Sequence, residues 1–314
     1  MAAFDAPAKI NLFLHVLARE HSGYHQTETL FCALDLADVL EVEAGEPGIA
    51  LHVEGADIGP LDDNLVLRAA RRFCERAGIA PALRMTLRKR IPAGAGLGGG
   101  SSDAAATLRA LATMHPLAMM QPQHDRATDA GDRNSTRNEM FAIATEIGSD
   151  VPFFMSGGAL ALAWGRGERL LALSPLPRRP VLIVAPRQPI ATADAYGALA
   201  ARRTAARTPV AGRLLETARF ADWTSVAQLA HNDFDEVAFN LVPGLERARD
   251  ALRENGARIA LLCGSGSALF GVFDSDALRD DAARRMRDTL SAHAYIATHT
   301  AQREHAVDPP GPQN

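Results

Sequence analysis

Residues 92–108 read PAGAGLGGGSSDAAATL, and five of the seven residues from Gly94 to Gly100 are glycine. Such a run leaves many backbone N–H groups unshielded by side chains. The alanine-rich stretch after it predicts a helix over 102–114, with Ser101 or Ser102 as its N-cap. Free amides followed by the positive end of a helix dipole make a phosphate site. A flexible glycine linker is the plain alternative, but linkers do not open into an alanine-rich helix.

Known phosphate loops fit this run poorly. A P-loop needs Gly-Lys-Ser/Thr, and Gly100 stands where the lysine belongs. Gly94 to Gly99 matches G-x-G-x-x-G, yet the preceding MTLRKRI (85–91) is amphipathic rather than a buried parallel strand. No HRD or DFG segment of a protein kinase is present. The run is therefore a glycine loop of another kind, leading directly into a helix.

Outward from the loop, alternation predicts strands over 9–17, 28–36, 39–44 and 49–54, read as an antiparallel sheet. Strand 9–17 would put Ile10, Leu12, Leu14 and Val16 on one face and Lys9, Asn11, Phe13 and His15 on the other. Leu65, Ala69 and Phe73 predict a helix over 64–77, capped by Asp62 or Asp63 and closed by Gly78. Residues 119–138 are polar and without period, and read as a loop or disordered insertion before a short helix at 139–147. The remainder alternates: strand 181–185, helix 244–255, strands 258–263 and 268–273, helix 276–290, strand 295–299. A boundary near 170–178 divides the chain into 1–172 and 173–300, with an unpacked tail at 301–314.

The 314 residues suffice for two domains at roughly 100–200 residues each. A net charge of −4, no Lys/Arg block and 5% aromatic residues argue against nucleic acid as a partner. Cys32, Cys74 and Cys263 lack CxxC spacing and read as reduced, buried thiols. No signal-peptide core and no apolar stretch of about 20 residues is present, so a soluble cytoplasmic protein without a membrane partner is expected. His21 and His25 have zinc-like spacing only on a helix, and Ser22-Gly23 makes a turn, so no metal site is assigned. Oligomeric state is left open.

The glycine run resembles the P-x-x-x-G-L-G-S/G-S-S motif of the GHMP kinases. PAKINLFLHV (7–16), GYH (23–25), DNLVLRAA (63–70), GSDVPFF (148–154), GRGE (165–168) and GSGSALFG (264–271) also stand in the order found in that superfamily's 4-diphosphocytidyl-2-C-methyl-D-erythritol kinase family. The similarity runs from about residue 5 to about 273, except for 119–138. It implies a two-domain α/β fold of α+β type: an N-terminal domain like ribosomal protein S5 domain 2 and a ferredoxin-like C-terminal domain. It implies ATP as co-substrate with Mg²⁺, and phosphorylation of the 2-hydroxyl of a cytidine diphosphate sugar alcohol on the non-mevalonate route to isoprenoid precursors. A homoserine- or mevalonate-type kinase, or a silent nucleotide-binding module, stays open as an alternative.

The resemblance makes Asp150 the general base and Lys9 its charged neighbour. Judged alone, Asp150 could cap the turn before Pro152 and Lys9 could be a solvated strand end. ATP would be held by Pro92, Ala93, Gly94, Ala95, Gly96, Leu97, Gly98, Gly99, Gly100, Ser101 and Ser102, with Asn64 and Lys89 nearby. Ser101 or Ser102 would help hold Mg²⁺. Asn64 and Lys89 could equally be a helix-start residue and a surface cation. On the acceptor side the resemblance places Asn11, Tyr24, His25 and Thr192, with Tyr24 stacking on cytosine and His25 bonding the base edge. Tyr196 would add a second stacking face.

Overall fold

The computed structural model describes residues 2–20, 24–56, 60, 63–115, 129–206, 216–291 and 293–302. In chain order its elements are strands β1 (Ala2–Arg19), β2 (His25–Ala44) and β3 (Gly48–Glu54), helix α1 (Leu65–Ala77), strand β4 (Ala82–Arg88), and helices α2 (Gly99–Met114), α3 (Asp129–Ile147) and α4 (Val151–Ser156). Strands β5 (Leu160–Gly165), β6 (Arg169–Leu173) and β7 (Pro180–Pro186) follow, then α5 (Thr192–Ala206), α6 (Trp223–Leu229), β8 (His231–Asn232), α7 (Asp235–Leu241) and α8 (Leu245–Glu254). Strands β9 (Ile259–Leu262) and β10 (Leu269–Val272), helix α9 (Asp276–Thr289) and strand β11 (His293–His299) complete it.

The first sheet runs β3-β4-β2-β1-β8, with β5 and β6 continuing beside β2. The second, β11-β7-β10-β9, is antiparallel throughout. Its chain order β-α-β-β-α-β and its strand order are those of a ferredoxin-like domain. One core lies between the first sheet and helices α1 to α4, around Phe73, Met85, Leu108 and Phe153. Another joins the two sheets, with Ile10 and Leu12 meeting Ile183, Leu261 and Phe270.

The strands predicted at 28–36 and 39–44 form a single 20-residue strand, because β2 is paired along its length by β1 and in turn by β5 and β4. The sheet is not wholly antiparallel: β3 and β4 run parallel, joined by α1 as a crossover. Asn64, not Asp62 or Asp63, caps α1, its side chain accepting the Val66 N–H at 2.8 Å. Such a cap stabilises the helix by about 1 kcal/mol. Helix α2 begins three residues earlier than predicted, with Gly98 rather than Ser101 or Ser102 at the N-cap. Ala104, Ala105, Ala106 and Ala110 are buried where α2 packs on β1, α1 and α4, so small side chains let the backbones approach.

Of the polar stretch 119–138, residues 129–138 are helical as part of α3, and 119–128 lie outside the described residues. A polar sequence can extend a helix whose far end, at Met140, Ile143 and Ala144, is anchored in the core. In the segment 301–314, expected to be unpacked, Ala301 is buried and donates to Ala33 O, and Gln302 bonds Leu176 O. The remainder lies outside the described residues. Among the described residues no helix is long and apolar enough to cross a membrane.

Candidate active site

A cavity of about 760 Å³ opens between the glycine loop, β1, the start of α4 and α5. β1 carries Lys9 and Asn11 to its floor. Both are almost fully buried, so neither is a solvated strand end. The Lys9 ammonium donates to Asn11 Oδ1 at 2.8 Å and to Gly96 O at 2.9 Å. It lies 3.5 Å from Asp150 Oδ2. Asp150 holds the N-cap position of α4, but its carboxylate makes no capping bond and remains turned to the cavity. A lysine and an aspartate 141 positions apart thus converge on one wall.

Asn11 is oriented by a chain of bonds: its amide donates to Thr29 Oγ1 at 2.8 Å, and Thr29 donates to Phe13 O at 2.7 Å. Thr29 was not legible as a site residue, since only strand pairing across 18 positions brings it there.

At the far end, His25 stacks on Tyr196 with ring centroids 4.6 Å apart, and Tyr196 meets Phe234 edge-on at 4.8 Å. Burial, with Arg19 and Arg203 nearby, lowers the His25 pKa, so the imidazole is neutral at pH 7 and can donate and accept. Burial, aided by the Asp150 charge, pushes the Tyr196 phenol up to about 12 and keeps it protonated. Tyr24 is exposed, with the Arg166 guanidinium 4.2 Å over its ring. Thr192 Oγ1 lies 3.3 Å from Ser265 Oγ, where the 264–267 turn closes the cleft. Arg19 and Arg166 add positive charge to the wall. Neither arginine was singled out from the sequence, because an arginine beside a strand end looks like any surface cation.

The glycine loop approaches from the other side. Gly94, Gly96 and Gly98 have positive φ, and no side chain caps α2, so its first-turn amides are left for an anion. A Cβ on Gly98 would lie 3.0 Å from Lys9 Cγ and 2.9 Å from the Phe154 ring, so only glycine lets the loop sit over the lysine. Ser101 is partly exposed, whereas Ser102 is buried and its hydroxyl has no partner among the described residues. Asn64 serves as the α1 cap. Lys89 is no surface cation: its ammonium lies beneath the loop between Asp38 and Asp103.

Burial, opposed by Lys89 and reinforced by Asp38, raises the Asp103 carboxyl to about 7. Its folded pKa exceeds the ordinary value of 3.8, so between pH 3.8 and about 7 the folded chain binds the extra proton. Stability therefore falls as pH rises through that window. Asp103→Asn is expected to flatten the dependence of the urea midpoint on pH between 4 and 7. An unchanged slope would contradict this.

A second cluster, His15, His231 and Asp233, sits behind the cavity wall. His231 Nε2 lies 2.8 Å from Asp233 Oδ1, and Asp233 Oδ2 accepts Val16 N–H at 2.7 Å and an Arg203 N–H at 2.6 Å. Burial pushes the Asp233 carboxyl up, but His15, His231, the Val16 N–H and Arg203 together outweigh it and hold it well below the usual carboxylate range. The cluster braces α5, which carries Thr192 and Tyr196, against β1.

Comparison with known proteins identifies the family of the two domains. Residues 64–158 match the GHMP kinases N terminal domain and residues 214–292 the GHMP kinases C terminal domain. The chain is 38% identical over 274 residues to a 4-diphosphocytidyl-2-C-methyl-D-erythritol kinase of Solibacter usitatus, covering 87% of this chain and 81% of that protein. It is 40% identical over 274 residues to the one of Solidesulfovibrio magneticus, covering 85% and 86%. A crystal structure of 4-(cytidine 5'-diphospho)-2C-methyl-D-erythritol kinase superposes with a TM-score of 0.73 at 35% identity, over 96% of this chain and 99% of that one. A homoserine kinase from Cytophaga hutchinsonii, at 17% identity and a TM-score of 0.63 over 96% and 95%, shares the fold. Glycine loop, paired domains and overall sequence thus agree, and the chain belongs to the 4-diphosphocytidyl-2-C-methyl-D-erythritol kinase family of the GHMP kinases.

Proposed function

We propose that this chain transfers the γ-phosphoryl group of ATP to the 2-hydroxyl of 4-diphosphocytidyl-2-C-methyl-D-erythritol, a step toward isoprenoid precursors. The observation that carries the reading is the Lys9–Asp150 pair, 3.5 Å apart between the glycine loop and the ring-lined end of the cavity. The family implies ATP as co-substrate. Its phosphates suit the Gly94–Ser102 segment, where uncapped amides and a helix N-terminus meet.

Phosphoryl transfer asks mainly for positioning and charge stabilisation. In this reading Asp150 takes the proton of the acceptor hydroxyl, and that oxygen bonds to the γ-phosphorus as the bond to ADP breaks. Lys9, 3.5 Å from Asp150, offsets charge on the transferring group. Mg²⁺ neutralises phosphate charge when bound, and Ser101 is the loop side chain with exposure enough to reach it.

On the acceptor side, neutral His25 suits the donor and acceptor pattern of cytosine, Tyr24 and Tyr196 offer ring faces, and Arg19 and Arg166 suit a diphosphate. Asn11 and Thr192, on the cavity wall, suit a polyol's hydroxyls. The test is an ADP-release assay across acceptors. Turnover with the cytidine diphosphate methylerythritol but not with homoserine or mevalonate is expected. Turnover with one of the latter instead would reassign the substrate, and ATP binding without ADP release to any alcohol would refute the kinase reading.

A further inference from the structure

One buried carboxylate grips both ends of the glycine loop. Asp38, on β2, is fully buried. Its Oδ1 accepts the backbone N–H groups of Arg90 and, at 2.8 Å, Ile91, the two residues before Pro92. Its Oδ2 accepts from Lys89. The same ammonium donates at 2.7 Å to Asp103 Oδ2 on the second turn of α2. A Cβ on Gly99 would lie only 3.2 Å from Lys89 Nζ, so the ammonium lies directly under the first residue of that helix. Loop entry and loop exit are thus fixed to β2 through one side chain.

We propose that Asp38 is a positioning residue for nucleotide binding: it presets the 92–98 loop by holding residues 90–91 directly and the start of α2 through Lys89 and Asp103. The inference rests on the reading that this loop takes the phosphates of ATP, and adds to it a residue with no place on the cavity wall. The physical need is entropic. A glycine-rich loop loses more backbone freedom on ordering than any other sequence. If binding had to order it, that cost would come off the affinity; an anchored loop has lost the freedom on folding. The anchor is also costly to bury. Two carboxylates share one ammonium out of water, and Asp103 Oδ1 has no partner among the described residues. A cluster made only for stability is better replaced by apolar side chains, so its placement astride the loop is the feature that needs a reason.

The substitution that tests this is Asp38→Asn. Its amide oxygen still accepts from Arg90 and Ile91, but its NH₂ faces the Lys89 ammonium, donor against donor, and the link to α2 is lost. The KM for ATP is expected to rise about tenfold or more, with the acceptor KM unchanged and turnover at saturating ATP largely kept. Amide hydrogen exchange over 92–102, measured without nucleotide, should quicken. Lys89→Met removes the bridge while sparing both backbone bonds of Asp38, and decides the matter alone if Asp38→Asn does not fold. Because exchange is read without ATP, a direct Lys89–nucleotide contact cannot imitate the result. A lower melting temperature with loop exchange and ATP KM unchanged would overturn the proposal. If the unaltered chain releases no ADP with any acceptor, the phosphotransfer reading fails, and exchange rates alone then uphold or overturn the anchoring role.

Discussion

Asp150→Asn is expected to lower turnover by about 10²–10⁴-fold while ATP still binds. The carboxamide is nearly the same size, so the α4 N-terminus should keep its shape, the more so because Asp150 makes no capping bond there. What it loses is basicity. An amide cannot take the acceptor's proton, and it removes the negative charge beside Lys9, whose hydrogen bonds to Asn11 and the Gly96 carbonyl remain. Calorimetric titration of ATP into the variant should match the unaltered chain, since the loop that would hold the phosphates is built from other residues. Multiple-turnover kinetics then give the loss in kcat. A variant that retains most of its turnover would remove Asp150 from the chemistry.

Gly96→Ala should have the largest effect on folding. Gly96 has φ +78°, a region that costs an alanine roughly 1–2 kcal/mol. Its new methyl would lie 1.8 Å from Cys263 O and 3.1 Å from Gly266 O. Those carbonyls cannot yield easily. The 263–268 turn is closed by Gly266 N to Cys263 O and Cys263 N to Ala268 O, and Asn232 holds Leu262 O and Gly264 O from behind. Strain and overlap together are expected to destabilise by about 3 kcal/mol or more, read as a lower urea midpoint. Activity should fall with it, because Lys9 bonds the Gly96 carbonyl. Gly100→Ala is the control for stability: its methyl would meet only Leu65, at 3.7 Å. An equal loss in both variants would show that the contact with Cys263 is not the cause.

The sequence was legible where a local rule decided the outcome. Four-residue apolar spacing found α1, glycine density found the loop that leads into α2, and the apolar run 181–185 found β7. It was less legible where distant packing decided. β1 alternates polar and apolar residues, which ordinarily means a wet face and a dry one. Here the polar residues Lys9 and Asn11 point into the site, and β1 is buried without a break from Ala6 to Leu14. Short β5 and β6 turn at Gly165 and Gly167, but their apolar residues do not alternate with polar ones, and they are strands because β2 offers an edge. Within the site, motif matching reached Lys9, Asn11, Tyr24, His25, Thr192 and Tyr196, and the fold places all of these on one cavity with Asp150. Asp38 and Asp103 escaped it, because their significance lies in a shared partner 51 and 14 residues away. The steric demand at Gly96 escaped it too, since it is set by a turn far along the chain rather than by phosphate.

Lys9 shows what placing a cation on a central strand entails. An ammonium there is withdrawn from water whenever the chain folds, whether or not substrate is near, and two neutral oxygens and one partly exposed carboxylate only partly offset that. An apolar residue of similar length would fill the same space without the penalty. Given the role proposed for Lys9, thermal robustness and phosphoryl transfer are opposed at this position. A population of variants selected for heat resistance alone is expected to drift away from lysine there, and with it to give up that role.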